Sequence, residues 1–414
     1  MKINHEDKII QLLNSVDHNN IELAFHLVKG LVNGYNQTLA HRLRNYPEYC
    51  LPFNVERPYF EQITQFKYDD HNLLTLPSEI GQLTQLEEII VNFNKLQSIP
   101  QTLGKLDQLE ELDIFMNNIQ QLPDSIAQLR SLRKLRAGYN YLSDLPPSIA
   151  QLTQLEALDL TSNRFTDFPT AVLQLHQLKT LELDDNQLSQ LPDKLTNLRH
   201  LENLGLGGNH LSALPANLKQ LPHLHHLNIL GNAFTHMPSV VSKLIGLTSL
   251  DLSEMGLTHL PNAFVQLQNL RSLNLSNNRL NGFPSVVFQL PQLQKLHIAN
   301  NQLKAIPREI GQLSELKELK LAYNTLESFP SMALQLNHLK RLDLTGCQLT
   351  EIPLEIGQLA QLTTLSLARN QLTELPDQLM ALPKLRYLNL YENPLSMDQI
   401  TALKRQKPRC HIYF

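Results

Sequence analysis

Leucine returns every 23 residues from Leu86 to Leu385, and no insertion or deletion interrupts the count. The fourteen units so defined span residues 86–407. A weaker unit at 63–85 precedes them, with Ile63, Phe66, Tyr68, Leu73, Leu76, Pro77, Ile80 and Leu83 in phase. A chain with so strict a period is built from stacked units, none of which buries a core alone. Its 414 residues therefore do not divide into two or three ordinary domains.

Each unit reads L-x-x-L-x-L-x-x-N-x-L-x-x-L-P-x-x-I-x-x-L-x-x. Asn fills position 9 in 12 of the 14 units and Pro fills position 15 in 13. Alternation at positions 4 and 6 turns one face of a short strand inward. Fifteen such strands are expected to pair in parallel. An Asn amide at position 9 both donates and accepts, so stacked Asn side chains are expected to form a buried polar ladder. Pro at position 15 fixes φ and starts the return path along the opposite side. Positions 18 and 21 drop apolar side chains back into the core.

This pattern resembles the leucine-rich repeat. Leu-Pro at positions 14 and 15 of a 23-residue unit is similar to the cytoplasmic-type repeats of the Ras-pathway scaffold and LAP-type proteins, and still more to bacterial arrays. The resemblance covers more than four fifths of the chain. It implies an α/β solenoid: a leucine-rich-repeat horseshoe with a parallel sheet on its concave face, a helical N-cap and a short C-terminal cap.

Three units depart from the pattern inside. Met255 stands at the Asn position, where it either fills space and loses a rung or bends the array locally. Cys347 stands at the same position, and a structural thiol is expected because no basic partner is placed to activate it. Ala137 replaces the position-6 aliphatic, a packing defect unless Tyr139 or Tyr141 compensates.

The organisation expected is a helical N-terminal cap over 1–62, repeats over 63–407 and a closing segment at 408–414. In the cap, Ile9, Leu12, Leu13 and Val16 follow helical spacing. Asn20 is expected to cap a second helix carrying Ile21, Ala24, Phe25, Val28 and Val32. Asn36 is expected to cap a third with Leu39 and Leu43. Pro52 and Pro58 then mark an extended run, and Cys50 within it receives no role. The alternative is a separate binding or dimerisation module. At the other end Ser396 is expected to cap a helix to about Arg405, with Ile400 and Leu403 inward. Cys410, Ile412 and Phe414 alternate over the last core layer.

The chemistry expected is sparse. No P-loop occurs, and Gly205, Gly207 and Gly208 fall on a repeat strand rather than a strand-to-helix turn. Only seven residues follow the repeats, leaving no room for a ligase domain. His210 and His226 could converge from neighbouring units, but no set of ligands closes around them, so no metal and no cofactor are expected. Lys+Arg of 35 against Asp+Glu of 39, a net charge of −4, argues against nucleic acid as a partner, as does the absence of Trp. Three cysteines fit a reducing compartment. Neither a signal peptide nor a membrane span is expected, which places the chain in the cytoplasm or on a leaderless secretion route.

Specificity is expected at positions 2, 3, 5, 7, 8 and 10, which the core does not constrain. Ile90, Phe93, Phe115, Met116, Tyr139 and Tyr141 fall there in three adjacent units, with Glu88, Glu111 and Asp113 around them. The six apolar residues either form an exposed interface patch or cover one another or pack on the N-cap. Asp159, Glu182, Asp184 and Asp185 follow. Toward the C-terminus the same positions hold Lys320, Tyr323, Arg341, Tyr387 and Tyr391 among further Lys and Arg. This is either a bipolar face that orients a partner or a mixed solvated surface. The expected function is a non-enzymatic scaffold that binds a protein on the concave face. The alternatives are small-ligand or glycan recognition near Gly205–Gly208 and His226, or a self-assembling structural protein. An oligomer is possible but not predicted.

Overall fold

The computed structural model describes residues 5–31 and 34–414. It divides into two compact units. The first runs to Asn186 and takes in Asn197–Leu201. The second holds Gln187–Thr196 and Glu202–Phe414.

The first unit begins with five helices: α1 (His5–Leu13), α2 (His18–Lys29), α3 (Gln37–Leu43), α4 (Pro47–Phe53) and α5 (Arg57–Phe60). Ile9 and Leu13 are buried and Leu12 is half-buried, but Val16 lies past the end of α1 and is 99% exposed. Asp17, not Asn20, caps α2 by accepting from the Asn19 N–H at 2.9 Å. The helix starts at His18, so Asn20 is already its third residue. Ile21, Ala24, Phe25 and Val28 face inward, while Val32 lies outside the described residues. Asn36 caps α3. The expected extended run is instead α4 and α5. Pro47 and Pro58 sit in the first turn of each, where a missing N–H breaks no helical bond. Cys50 is buried there and donates its thiol to the Leu43 carbonyl at 3.1 Å. The Tyr68 hydroxyl donates to the Arg44 carbonyl at 2.7 Å, tying the helices to the first repeat.

Beyond them each repeat contributes a three-residue strand and, after its Pro, one tight 3-10 turn, except that the last two carry the α-helices Asp377–Ala381 and Met397–Gln406 instead. Six strands lie in the first unit, from Gln65–Lys67 to Thr180–Glu182, and ten in the second, from Asn203–Gly205 to His411–Tyr413. Within each unit the repeat strands pair in parallel at a register of 23, as in Glu88↔Glu111 and Ser272↔Lys295. The closing strand His411–Tyr413 pairs with Tyr387–Asn389 and raises the number above the expected fifteen. Position-4 and position-6 residues such as Leu112 and Ile114 are fully buried. Ala137 is buried too, and Tyr139 and Tyr141 stay exposed rather than filling beside it.

The Asn ladder forms as expected. Asn117 donates to the Val91 carbonyl of the preceding repeat at 2.9 Å and to Ile114 of its own at 3.1 Å. It accepts from the Leu96 N–H at 3.0 Å. One amide thus satisfies three backbone groups, two of them in the neighbouring repeat. Apart from the half-buried Asn393, the rungs are buried, Asn324 most deeply at 1% exposed.

The turn around the ladder has a conformation that the sequence pattern did not disclose. Position 8 is left-handed in every repeat, from Asp70 (φ 57°) to Glu392 (φ 56°). Where position 9 is not Asn, position 10 is left-handed as well: Asn72, Gly256 and Gln348 follow His71, Met255 and Cys347. The N–H of position 9 then donates to the next rung. Met255 reaches the Asn278 amide oxygen at 3.2 Å, and Cys347 reaches that of Asn370 at 3.1 Å. Met255 is buried, so it both fills space and reshapes its turn. The Cys347 thiol replaces part of a rung by donating to the Leu321 carbonyl at 3.3 Å, and burial pushes its pKa up to about 12. It is a structural thiol, not a nucleophile.

The second unit ends with a helix, Met397–Gln406, capped by a reciprocal Ser396–Gln399 box. Leu403 is buried on it and Ile400 half-buried. Cys410, Ile412 and Phe414 are half-buried, and His411 and Tyr413 face outward.

Candidate functional site

Three successive repeats of the first unit put large side chains at the left-handed position 8: Phe93 (φ 56°), Met116 (φ 56°) and Tyr139 (φ 54°). Any side chain with a Cβ is strained there, by about 1–2 kcal/mol. Asp, Asn or Gly fill the same position at residues 70, 185, 208, 231, 277, 300 and 346, the types that tolerate it best. Phe93 is 52% exposed, and Met116 and Tyr139 are 44% exposed. Phe115 at position 7 lies between Phe93 and Tyr139, with ring centroids 6.0 and 5.0 Å apart. Gly138 makes room for it, since a Cβ there would come within 3.2 Å of the Phe115 ring. Tyr141 is also exposed, but its ring meets the Arg164 guanidinium at 4.3 Å instead of the other aromatics. Ile90 is half-buried at the end of its strand. None of the four exposed side chains is covered by the helices, so the reading in which they pack on the N-terminal segment fails.

The acidic residues around this patch are already neutralised. Glu111 pairs with Lys134 at 3.2 Å and with Arg136 at 3.3 Å. Asp113 is buried, pairs with Arg136 at 3.2 Å and accepts from the Phe115 N–H. Glu88 pairs with Lys67 at 3.0 Å. Asp113 is thus an internal brace for the aromatic turn rather than a surface contact. Lys67, Lys134, Arg136 and Arg164 were the residues missed. Their signal was available, because Lys134 and Arg136 stand 23 residues after Glu111 and Asp113 and so fall directly beside them.

Further along the first unit Asp159, Glu182 and Asp184 converge. Burial pushes the Glu182 carboxyl up to about 8, reinforced by Asp184 and Asp159.

In the second unit Lys320 and Arg341 are not free surface cations. Both reach Glu318, at 3.3 and 3.2 Å, and His297 joins it at 2.9 Å. Glu318 is 7% exposed; burial alone would raise its pKa, but His297 and Lys320 outweigh that and lower it. Burial and Lys320 lower the His297 pKa against the pull of Glu318. Tyr323 lies over Gly346, and its hydroxyl accepts from Arg369 at 3.2 Å while Arg369 holds Glu392 at 2.9 Å. Tyr387 meets Tyr413 at 5.1 Å, and Tyr391 is exposed. The five C-terminal candidates therefore form separate local groups and not one basic patch. His226 is outward-facing, and burial together with His225 lowers its pKa. Among the described residues no group of three or more His, Cys, Asp or Glu is arranged to hold a metal ion. No helix among them is long and apolar enough to cross a membrane.

The family described as leucine-rich repeat region matches residues 75–180, 129–238 and 235–343, and a second, leucine rich repeat, matches 337–395. No curated protein matches the chain. Among solved structures, a leucine-rich repeat protein of Leptospira interrogans is 32% identical with a TM-score of 0.62, over 86% of this chain and 97% of its own. An internalin from Listeria monocytogenes is 24% identical with a TM-score of 0.59, over 85% of this chain and 94% of its own, a likeness of fold.

Proposed function

The chain belongs to the leucine-rich repeat family, and from that premise we propose that it is a non-enzymatic scaffold that binds a protein partner on the strand face of its first unit. The fold is a general protein-interaction module. One observation carries the site: Phe93, Met116 and Tyr139 occupy three consecutive left-handed turns and remain exposed. Folding alone favours Gly, Asn or Asp there. Large apolar groups held against both backbone preference and water mark a surface kept for contact. Phe115 and Tyr141 extend the patch, and paired charges rim it, as at a protein interface with a dry centre. Residues 1–62 act in this reading as the cap of the core, 63–407 as the binding array and 408–414 as its closure. A protein partner, and not nucleic acid, fits the paired charges. The three free cysteines suit a reducing, cytoplasmic setting.

The test is affinity capture with the wild type beside a Phe93→Asn, Met116→Asn, Tyr139→Asn variant. Asn suits the left-handed turn, so the fold survives, as unchanged circular dichroism would verify. A partner captured by the wild type and lost from the variant supports the reading. A partner list identical for both refutes the site. Gly205 and Gly207 are buried, so they leave no bare strand face to favour glycan recognition there.

A further inference from the structure

Some strand cations of the second unit meet carboxylates: Arg341 and Lys320 hold Glu318, and Arg369 holds Glu392. Others do not, as where Lys317 donates to the neutral Gln294 amide at 3.0 Å. In the last repeats such unpaired cations gather. Lys384, Arg386, Arg409 and His411 line one hollow of about 780 Å3 together with Thr363 and Leu385, and no carboxylate lines it. Among the described residues no Asp or Glu lies within ion-pair distance of Lys384, Arg386 or Arg409. Lys384 instead donates to the neutral Gln361 amide at 2.6 Å.

These groups rest on a fixed frame. The His411 N–H donates to the Arg386 carbonyl at 2.8 Å, and the Arg386 N–H donates to the Thr363 carbonyl at 2.9 Å. The Thr363 hydroxyl is turned back to the Lys340 carbonyl at 2.9 Å. Position 2, which leads into each strand on this side, carries Arg271, Lys317, Lys340 and Arg386 and no acid from His225 onward. A row of one sign ending in a concave site concentrates anions there.

We propose that this hollow binds a tetrahedral oxoanion, a phosphate or sulfate group either free or as a small-molecule ester. Two guanidinium forks match such an oxoanion with paired N–H···O bonds, and the ammonium adds charge. Without an anion the gathered cations repel one another. With one bound, the anion is the counter-charge that no Asp or Glu within ion-pair distance supplies. The site is built by the second unit alone and stands whether or not the aromatic patch of the first binds protein.

The experiment is calorimetric titration of the full chain with inorganic phosphate, sulfate and phenyl phosphate at low salt. One saturable site is expected. Arg386→Gln and Arg409→Gln should each weaken it about tenfold or more, and Lys219→Gln, in the 3-10 turn Ala216–Gln220, should leave it nearly unchanged. Phosphate should also raise the melting temperature of the wild type more than that of the Arg386→Gln variant, a readout independent of injection heats. Tighter binding of phenyl phosphate would assign an ester, and equal binding the free ion. Absence of saturable binding overturns the proposal. So does binding that Arg386→Gln and Arg409→Gln leave intact in variants whose circular dichroism matches the wild type.

Discussion

Replacing Met255 by Asn, alone and with Gly256→Ala, tests whether the ladder residue sets the conformation of its own turn. In the wild type Gly256 is left-handed at φ 65°, and a Cβ built on it meets no heavy atom within 4 Å. The penalty for Gly256→Ala is therefore backbone strain alone, about 1 kcal/mol. With Asn at 255, the turn should adopt the form of the other rungs, in which position 10 is not left-handed. Position 10 then donates to the preceding repeat, as Arg279 donates to the Leu257 carbonyl at 2.8 Å. In that background Gly256→Ala should stabilise by about 0.5–1 kcal/mol, because it restricts only the unfolded chain. The coupling between the two sites is thus about 1.5–2 kcal/mol. Met255→Asn by itself should stabilise by up to about 1 kcal/mol. It gives the Phe234 N–H a ladder oxygen to donate to, but gives up buried Met surface and the bond from the Met255 N–H to Asn278. A long repeat array does not unfold as two states, so the assay is amide exchange of residues around 250–260, read as local opening free energies. Additivity of the two substitutions within about 0.3–0.5 kcal/mol would refute the claim that position 9 dictates the turn.

Glu48 gives a pH prediction. Burial pushes its carboxyl up to about 7, and one of its oxygens has no hydrogen-bond partner. The folded state therefore holds the proton more tightly than the unfolded chain. Stability from this group is present below about pH 4.5 and is lost as pH rises toward 7. Glu48→Gln should remove this dependence and stabilise the helical segment at pH 8 by up to about 3 kcal/mol relative to its effect at pH 4. Local opening free energies of α3 and α4 from amide exchange that keep a constant offset between the two proteins across that range would contradict it. Asn324→Ala should destabilise by about 3 kcal/mol, since it strips partners from the Leu303 N–H and from two carbonyls in a fully buried rung. Asn393→Ala, at a half-buried rung, should cost less, and equal losses in chemical denaturation would show that burial does not set the value of a rung. Glu318→Gln should lower the His297 pKa and Lys320→Gln should raise it, because the carboxylate pulls it up and the ammonium pushes it down. Imidazole titration by NMR measures both.

The strands, the inward leucines and the Asn rungs were legible because each depends on spacing that repeats, and repetition averages out local noise. The left-handed position 8 was not read, although Asp70, Asp185, Gly208 and Asn277 stand there. The large residues Phe93, Met116 and Tyr139 at the same position hid the preference. The helices α4 and α5 were misread because Pro52 and Pro58 were taken as breakers, whereas Pro58 sits in the first turn of α5, where it is compatible with a helix, and Pro52 falls just before the end of α4. Val16 continued an apolar pattern beyond the point where its helix had already ended. At the candidate site, composition suggested exposed acids, but charge in this fold has to be read down columns. Glu111 with Lys134 and Glu318 with Arg341 are 23 residues apart and adjacent in space.

The same bond offsets recur at every rung: 26 residues back, 21 residues back and 3 residues back, as at Asn140, Asn163 and Asn301. Such a structure accepts change in whole units. A recombination event that removes or duplicates 23 residues, wherever it starts, leaves each rung facing an equivalent neighbour. Loss of a single residue shifts a strand by one place, turns its core leucines outward and unseats an amide from both repeats it joins. The lineage of such a gene is expected to change by units of 69 base pairs, and its surface residues, which no rung holds, are where selection can act one codon at a time.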